Sequence, residues 1–477
     1  MTTTSQSSGA NGLAADARAI SSRPTSASDK WSLRADTALL ASALFLQRFA
    51  LPFPGGKSVA LSILPITVIF SYQFAANRLL IQYDRLWWFL LLALSATTSL
   101  LFTLSWSSQN SYSLFLVGYF FFMLICPSSQ AQYKRTLHSF QCLVFIIACL
   151  AILQFPAQLV VNPRNLIMFF GIFPDALLPY HTHVNTQLVS DTGRLVKSNG
   201  IFLGEAGNLS QIAAVAILIE VIEFRRPWYL IVLSMGFLVA YSGTGVSILL
   251  VSLPVAFLVT PRAQLPVLLV CVFAAGLFAT DTIHLSAFTD RLGEFQDTGA
   301  SGFSRFVSPF WMAGDYFSRA SLSGLLFGNG FGNIFVPRGH YTGSGSTWFK
   351  LVYEYGLIGT FVFACFLGCC FRRSWCPAPV VLGIVYSYLF TGNDLLDPSV
   401  LTIMVVLCTL RPRPAFQVLP LGKRQPGFGG ARSQKIRSNR EPVMGFRSAP
   451  IIAARWTASS RHDSPMDPEA VSERGPD

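Results

Sequence analysis

The sequence predicts an all-α, polytopic integral membrane protein of about 12 transmembrane helices with two large external loops. Composition is the first reason. Only 12% of the 477 residues are charged, against about 25% in a soluble chain, while 52% are hydrophobic and the mean hydropathy is +0.49. Patterning is the second. Apolar windows of about 20 residues recur along the chain, the length that crosses a hydrocarbon core, and two long polar stretches interrupt them. Forty-one Phe and nine Trp suit lipid-facing and interfacial surfaces.

Residues 1–34 are rich in Ser, Thr and Ala and lack the apolar core of a cleavable signal, which predicts a disordered cytoplasmic N-terminus. The membrane domain is predicted over 35–410. Its first five apolar runs are about 35–53, 58–75, 86–105, a fourth ending near Cys126, and 136–155. A non-spanning segment of about 156–207 follows. The next four runs are about 208–224, 228–241, 245–260 and 265–283, the seventh and eighth joined by the tight turn Ser242-Gly243-Thr244-Gly245. A second non-spanning segment, about 284–348, is Gly-rich and Arg-bearing. Its polar backbone and charges would go unsatisfied in lipid, so it belongs in water. Runs at about 349–371 and 378–391 and a last one closing at Leu410 complete the twelve. Residues 411–477 hold twelve Lys/Arg against six Asp/Glu with frequent Pro, Gly and Ser, and are predicted to be a disordered basic cytoplasmic tail beside an anionic leaflet.

Orientation follows from the short loops. Those holding Arg78/Arg85, Lys134/Arg135, Arg225/Arg226, Arg262, Arg372/Arg373 and Arg411/Arg413 alternate with loops whose sole cation is Lys57. The positive-inside rule then puts both termini in the cytoplasm and both long segments outside. This also accounts for the formal charge of +12 without nucleic acid, for which the chain carries no motif. The nine cysteines show no CxxC or Cys/His zinc spacing. His181-Thr-His183 lacks a companion ligand, so no metal is assigned.

The candidate chemistry sits in the two external segments. The first carries Arg194, Lys197 and Glu205 just before a span, and the second carries Arg291, Arg305, Arg319, Arg338 and His340. Guanidinium groups bind phosphates through a two-pronged fork and stay charged throughout. A pyrophosphate leaving group, gaining charge as its bond breaks, is an anion such a cluster stabilises. Glu205 or His340 is a candidate to orient or deprotonate an acceptor hydroxyl. Glu354 lies just inside the tenth span, where an unpaired carboxylate is costly, so it is expected to turn inward. Glu220 and Glu223 lie beside Arg225/Arg226 and read as structural.

Three motifs carry a resemblance. Lys197-x-x-Gly200-Ile-Phe-Leu-x-Glu205 resembles the R-x-x-G-x-F-x-E-P element of the O-antigen ligase and Wzy-type polysaccharide polymerase superfamily. Ser304-Arg305, with Leu326-Phe327-Gly328-x-Gly330-x-Gly332, resembles its S-R and L-F-G-x-G-x-G elements. Leu351-x-x-Glu354-Tyr-Gly356-Leu-Ile-Gly359 resembles its L-x-x-E-x-G-x-x-G span entry. Order and spacing agree over about 35–410, most like exopolysaccharide polymerases of the xanthan or acetan type. The resemblance implies a metal-independent, cofactor-free membrane glycosyltransferase of the bacterial inner membrane. It would transfer a glycan from undecaprenyl pyrophosphate to a lipid-linked repeat unit at the outer face. Arg305 and Lys197, helped by Arg194, Arg291, Arg319 and Glu354, would hold the substrate; its partners would be the lipid-linked oligosaccharide, membrane lipid and other export proteins. Lys197 stands where the family has Arg, keeping charge but losing the fork. The ligase branch has a His where Gly345-Ser346 stand here, and His340 is out of register. That favours polymerase over ligase and leaves the general base unassigned. A flippase or other transporter is the alternative of a different class.

Overall fold

Apolar windows too long for strands settle as helices in the computed structural model, which describes residues 27–53, 57–101, 106–161, 177–178, 196–260, 302–332, 346–392 and 395–413. All of these fall in the first of two units, Met1–Gln417; the second, Val418–Asp477, lies outside them. The helices, in order, are α1 Ala27–Phe45, α2 Ile63–Ala75, α3 Tyr83–Leu101, α4 Trp106–Phe120, α5 Gln130–Ala157 and α6 Ala206–Ile219. They continue as α7 Pro227–Val239, α8 Gly243–Val259, α9 Ser308–Arg319, α10 Leu322–Phe327, α11 Thr347–Phe371, α12 Ala378–Tyr386 and α13 Pro398–Met404. A helix thus lies in every expected apolar run except the ninth, 265–283, which is outside the described residues, as is the Arg262 loop.

Among the described residues, three helices are long and apolar enough to cross a membrane: Gln130–Ala157, Ala206–Phe224 and Thr347–Phe371. The shorter apolar helices, such as Pro227–Val239 and Pro398–Thr409, fall below that length. The π-helical turns Glu220–Phe224, Phe303–Val307, Ser387–Thr391 and Val405–Thr409 extend or precede α6, α9, α12 and α13.

The first run departs from its expected extent. Its helix stops at Phe45, and the chain forms an antiparallel hairpin, β1 Ala50–Phe53 on β2 Lys57–Ala60. Arg48 explains the stop: it is buried, and its Nη1 donates to the Ile201 carbonyl at 2.7 Å rather than facing lipid. Pro52 and the following Gly55-Gly56 then favour a turn over more helix. A second small pairing joins β3 Leu80–Ile81 to β4 Leu124–Ile125.

Helix α6 is the centre of the bundle. It packs against α5, α7, α8 and α12, and twelve of its residues are buried. Its sequence, AGNLSQIAAVAILI, is small or apolar apart from Asn208 and Gln211, as a helix enclosed by others must largely be. Elsewhere in the bundle α3 packs antiparallel on α11. At one end of that pair, the buried Arg85 donates to the carbonyls of Phe122 (3.0 Å), Thr409 (3.0 Å) and Cys370 (3.1 Å). At the other, Ser99 donates to the Glu354 carbonyl at 2.6 Å. Arg85 and Ser99 are roughly 21 Å apart along α3.

The basic loops gather at the Arg85 end. Arg411 forms a buried ion pair with Asp36, which also accepts from Thr136 at 2.7 Å. Lys134 meets Glu223 at 3.1 Å, and Arg226 holds Glu220 at 2.8 Å while stacking over Tyr229. The Arg413 N–H bonds the Arg373 carbonyl at 2.8 Å. Loops that the charge rule assigned to one side therefore touch one another directly, and the first and last described helices begin and end there.

Candidate functional site

At the opposite end of the bundle lies an irregular strap, Val196–Glu205, that turns at residues 200–202 and leads into α6. A strap without its own ladder needs other partners for its backbone, and α5 supplies them. Gln158 clasps Val196 from both sides, its Oε1 taking the N–H at 2.7 Å and its Nε2 giving to the carbonyl at 2.9 Å. Gln154 receives the N–H groups of Asn199 and Gly200 (3.2 and 3.1 Å) and donates to Asn199 Oδ1 at 3.0 Å. Asn199 in turn bonds the Leu203 carbonyl (2.9 Å) and the Ile201 N–H (3.1 Å). Ser198 donates to the Ala151 carbonyl at 2.9 Å. Ile201 is held at φ +70°, a region costly for a β-branched side chain. Networks of this density fix position, and what they fix is Glu205 and Lys197.

Glu205 is the residue before α6, yet its carboxylate does not cap that helix. It turns instead to Arg305, with Oε2 2.7 Å from Nη2. The pair is half-enclosed, the side chains 14% exposed for Arg305 and 32% for Glu205. Arg305 comes from the π-helical turn Phe303–Val307, which lies against the Ser387–Thr391 turn of α12. Its guanidinium lies over Gly207, where a methyl group would stand 3.2 Å from Nη1. Thr244 and Ser210, 3.1 Å apart, line the adjoining start of α8 and the first turns of α6. The site therefore combines a guanidinium, a carboxylate, two hydroxyls and the N-terminus of the central helix, whose dipole favours a negative group.

Helix α11 is itself broken. Gly356 has φ +69° and ψ −177° inside an otherwise continuous helix. The carbonyls of Tyr353 and Glu354 are thereby released from the helix ladder. They accept from the N–H groups of Asn329 (2.9 Å) and Gly330 (3.2 Å) and from Ser99. Gly328, also at positive φ, lies so close that a Cβ would stand 2.3 Å from the Glu354 carbonyl oxygen; one on Gly356 would stand 2.4 Å from that of Leu326. Two motifs that the sequence sets apart are thus one interlocked joint. Lys350 and Glu354, one helical turn apart before the break, are both buried.

Between α6, α12 and α13, an open cleft of about 480 Å³ adjoins the first turns of α6. Asn208, Gln211, Gln47 and Ser387 line it with Phe140, Ile212 and Ile403, and Ser387 donates to Gln211 at 3.1 Å.

No family model matches the chain, and no curated protein does.

The structure accordingly places the sequence-predicted residues on its own terms. Glu205 and Arg305 touch, Lys197 is buried eight residues before Glu205, and Glu354 is buried at the α11 break. Arg319 is 80% exposed at the far end of α9, 3.9 Å from Asp315, and roughly 20 Å of chain rise separates it from Arg305. Arg194, Arg291, Arg338, His340 and His181-Thr-His183 lie outside the described residues. Among the described residues no three His, Cys, Asp or Glu side chains gather as a metal site.

Sequence reasoning missed Gln154, Gln158, Asn199, Thr244 and Lys350. For the glutamines a signal existed: two amides one helical turn apart at the end of an apolar run, directly before a polar segment.

Proposed function

We propose that the chain is a multi-pass membrane glycosyltransferase that polymerises exopolysaccharide repeat units. On this reading it moves a growing glycan from undecaprenyl pyrophosphate onto the next lipid-linked repeat unit, at the outer face of the bacterial inner membrane. The single observation that carries it is the Glu205–Arg305 contact. Two motifs a hundred residues apart, each resembling the O-antigen ligase and Wzy-type polymerase superfamily, meet at the head of the most buried helix. The interlock of Gly328 with Gly356 supports it further, since it joins the second of the resembling motifs to the third.

The chemistry is a displacement at the anomeric carbon. An acceptor hydroxyl oxygen attacks, the bond from that carbon to the pyrophosphate oxygen breaks, and the hydroxyl proton leaves to a base. Arg305 receives the charge that develops on the departing pyrophosphate, with Lys197 as a second cation. Glu205 holds the guanidinium and, with His340, is a candidate to orient or deprotonate the acceptor hydroxyl. The basic end of the bundle faces the cytoplasm on this reading, so the strap end faces outward.

A flippase is the second reading, favoured by one observation: α11 is a discontinuous helix with buried Lys350 and Glu354 at its break, a feature transporters use for substrate. The lipid-linked intermediates of a strain lacking the protein separate the readings. Single repeat units accumulating outside support the polymerase, and accumulation inside supports a flippase. Complete polymer left unattached to lipid A would mean a ligase.

A further inference from the structure

The cleft beside the head of α6 has the make-up of a binding site, and the Glu205–Arg305 pair does not account for it. Helix α6 gives it one stripe, Asn208, Gln211, Ile212 and Val215, which descends roughly 10 Å. Its character changes along that descent. Asn208, Gln211, Gln47 and Ser387 are half-buried, while Phe140, Ile212, Val215, Ile384 and Ile403 behind them are buried. The cleft thus has a polar mouth and a closed apolar floor. Its volume of about 480 Å³ falls within the roughly 300–1,000 Å³ of ligand pockets.

The mouth opens at the strap end. Gln47 precedes Arg48, whose Nη1 holds the Ile201 carbonyl of the strap. Asn208 follows Gly207, over which the Arg305 guanidinium lies. Ser387 begins the turn that packs against Phe303–Val307. A ligand in the mouth therefore stands beside Arg305.

The lining also states what kind of ligand fits. Among the described residues it offers three amides and a hydroxyl, and no charged side chain. Ser387 donates to the Gln211 Oε1 at 3.1 Å, which leaves the Gln211 Nε2 as a donor. The Gln47 Oε1 is buried and has no hydrogen-bond partner among the described residues. Amides and a hydroxyl suit a neutral, hydroxyl-rich ring. A carboxylate seated there would lose water without gaining a cation. The closed floor adds a second restriction, because a blind cleft admits only the end of a chain. A donor sugar at the pyrophosphate is attached on both sides, whereas the non-reducing terminal sugar of an acceptor is attached on one.

We infer that this cleft is an acceptor subsite, holding the uncharged terminal sugar of the incoming repeat unit through Gln47, Asn208, Gln211 and Ser387. The subsite rests on the polymerase reading given under Proposed function and deepens it by naming the acceptor class: a neutral, not an acidic, non-reducing end.

The test is binding, read without catalysis on the full-length protein in nanodiscs. The probe is the repeat-unit oligosaccharide of the host's own exopolysaccharide, stripped of lipid and pyrophosphate. N208L and Q211L are each expected to weaken its binding on the order of 10-fold, the scale of one hydrogen bond. Q47M is expected to weaken it similarly while leaving the melting temperature of the ligand-free protein unchanged or raised, because the Gln47 Oε1 has no partner to lose. That combination separates a lost ligand contact from a damaged fold. Removing the terminal sugar of the probe, or oxidising its primary hydroxyl to a carboxylate, is expected to weaken binding to the wild type at least as much. Wild-type affinity in all three variants would overturn the subsite. So would indifference to the terminal sugar, or no binding by the wild type. Polymer formation is read separately. Normal polymer yield and acceptor KM from the three variants would strike the subsite and leave the polymerase reading standing. Binding that depends on Gln47 and Asn208 in a protein that makes no polymer would keep the sugar subsite while the polymerase reading fails.

Discussion

Arg305 and Glu205 hold each other at 2.7 Å, so removing either takes away the other's ion-pair partner in a half-enclosed site. Their substitutions should nonetheless differ. R305A removes the group that receives pyrophosphate charge, and polymer formation is expected to fall on the order of 100-fold or more, the scale seen when one charge-stabilising donor is lost. R305K keeps the charge without the fork and is expected to recover only part of that loss. E205Q keeps the shape of Glu205 and weakens only the ion pair. It is expected to lower the rate while the protein still binds the lipid-linked donor, as read by a KM near the wild-type value. An elevated KM with unchanged kcat would instead make Glu205 a positioning residue for substrate. Gly207 offers a gentler probe: G207A places a methyl 3.2 Å from the Arg305 guanidinium, and G207V should displace it further. A graded loss of rate from Ala to Val, at constant protein level, is the expected series.

Elements hold this pair in place, and two of them can be tested separately from chemistry. Q154L leaves the Asn199 and Gly200 N–H groups of the strap without acceptors, and should cost about 2 kcal/mol or more, read as a lower melting temperature in detergent. G356A forces an L-residue to positive φ against a backbone oxygen and should cost at least as much. Because Gly328 and Gly356 share one joint, the G328A/G356A double variant is expected to lose less than the sum of the singles. The sequence made the helices legible because a run of apolar residues longer than a strand has few other outcomes. It did not disclose the break in α11. Leu351–Phe361 reads as one apolar helix, and a Gly inside it is ordinary until Gly328 is seen against it. Nor did it disclose the hairpin after Phe45, since Arg48 ends that helix for the sake of Ile201, 153 residues away.

At the scale of the whole molecule, the two ends of the bundle differ in kind. One is stapled by Arg85, the Asp36–Arg411 pair and the Glu220–Arg226 pair, and the other carries the strap, the joint and the candidate site. The R85L variant strips a donor from three buried carbonyls and should cost about 3 kcal/mol or more. Combined with G356A, roughly 21 Å away along α3, its effect is expected to add within about 0.5 kcal/mol. Sidedness is checked by labelling Q130C and S318C in intact cells with a membrane-impermeant maleimide, in a chain whose accessible cysteines are replaced. S318C should react and Q130C should not until the cells are opened. Charge in short loops foretold which loops share an end, because that bias is written locally. The pairing of Glu205 with Arg305 was not written locally: each residue stood out alone, and only the packing of the Phe303–Val307 turn on α12 brings them together. The most direct measurement is polymer formation by the purified protein in proteoliposomes, supplied with a defined undecaprenyl-pyrophosphate-linked repeat unit. The expected result is long glycan with release of undecaprenyl pyrophosphate by the wild type, and neither product from R305A at equal protein. Wild-type yields of both products from R305A would contradict the account.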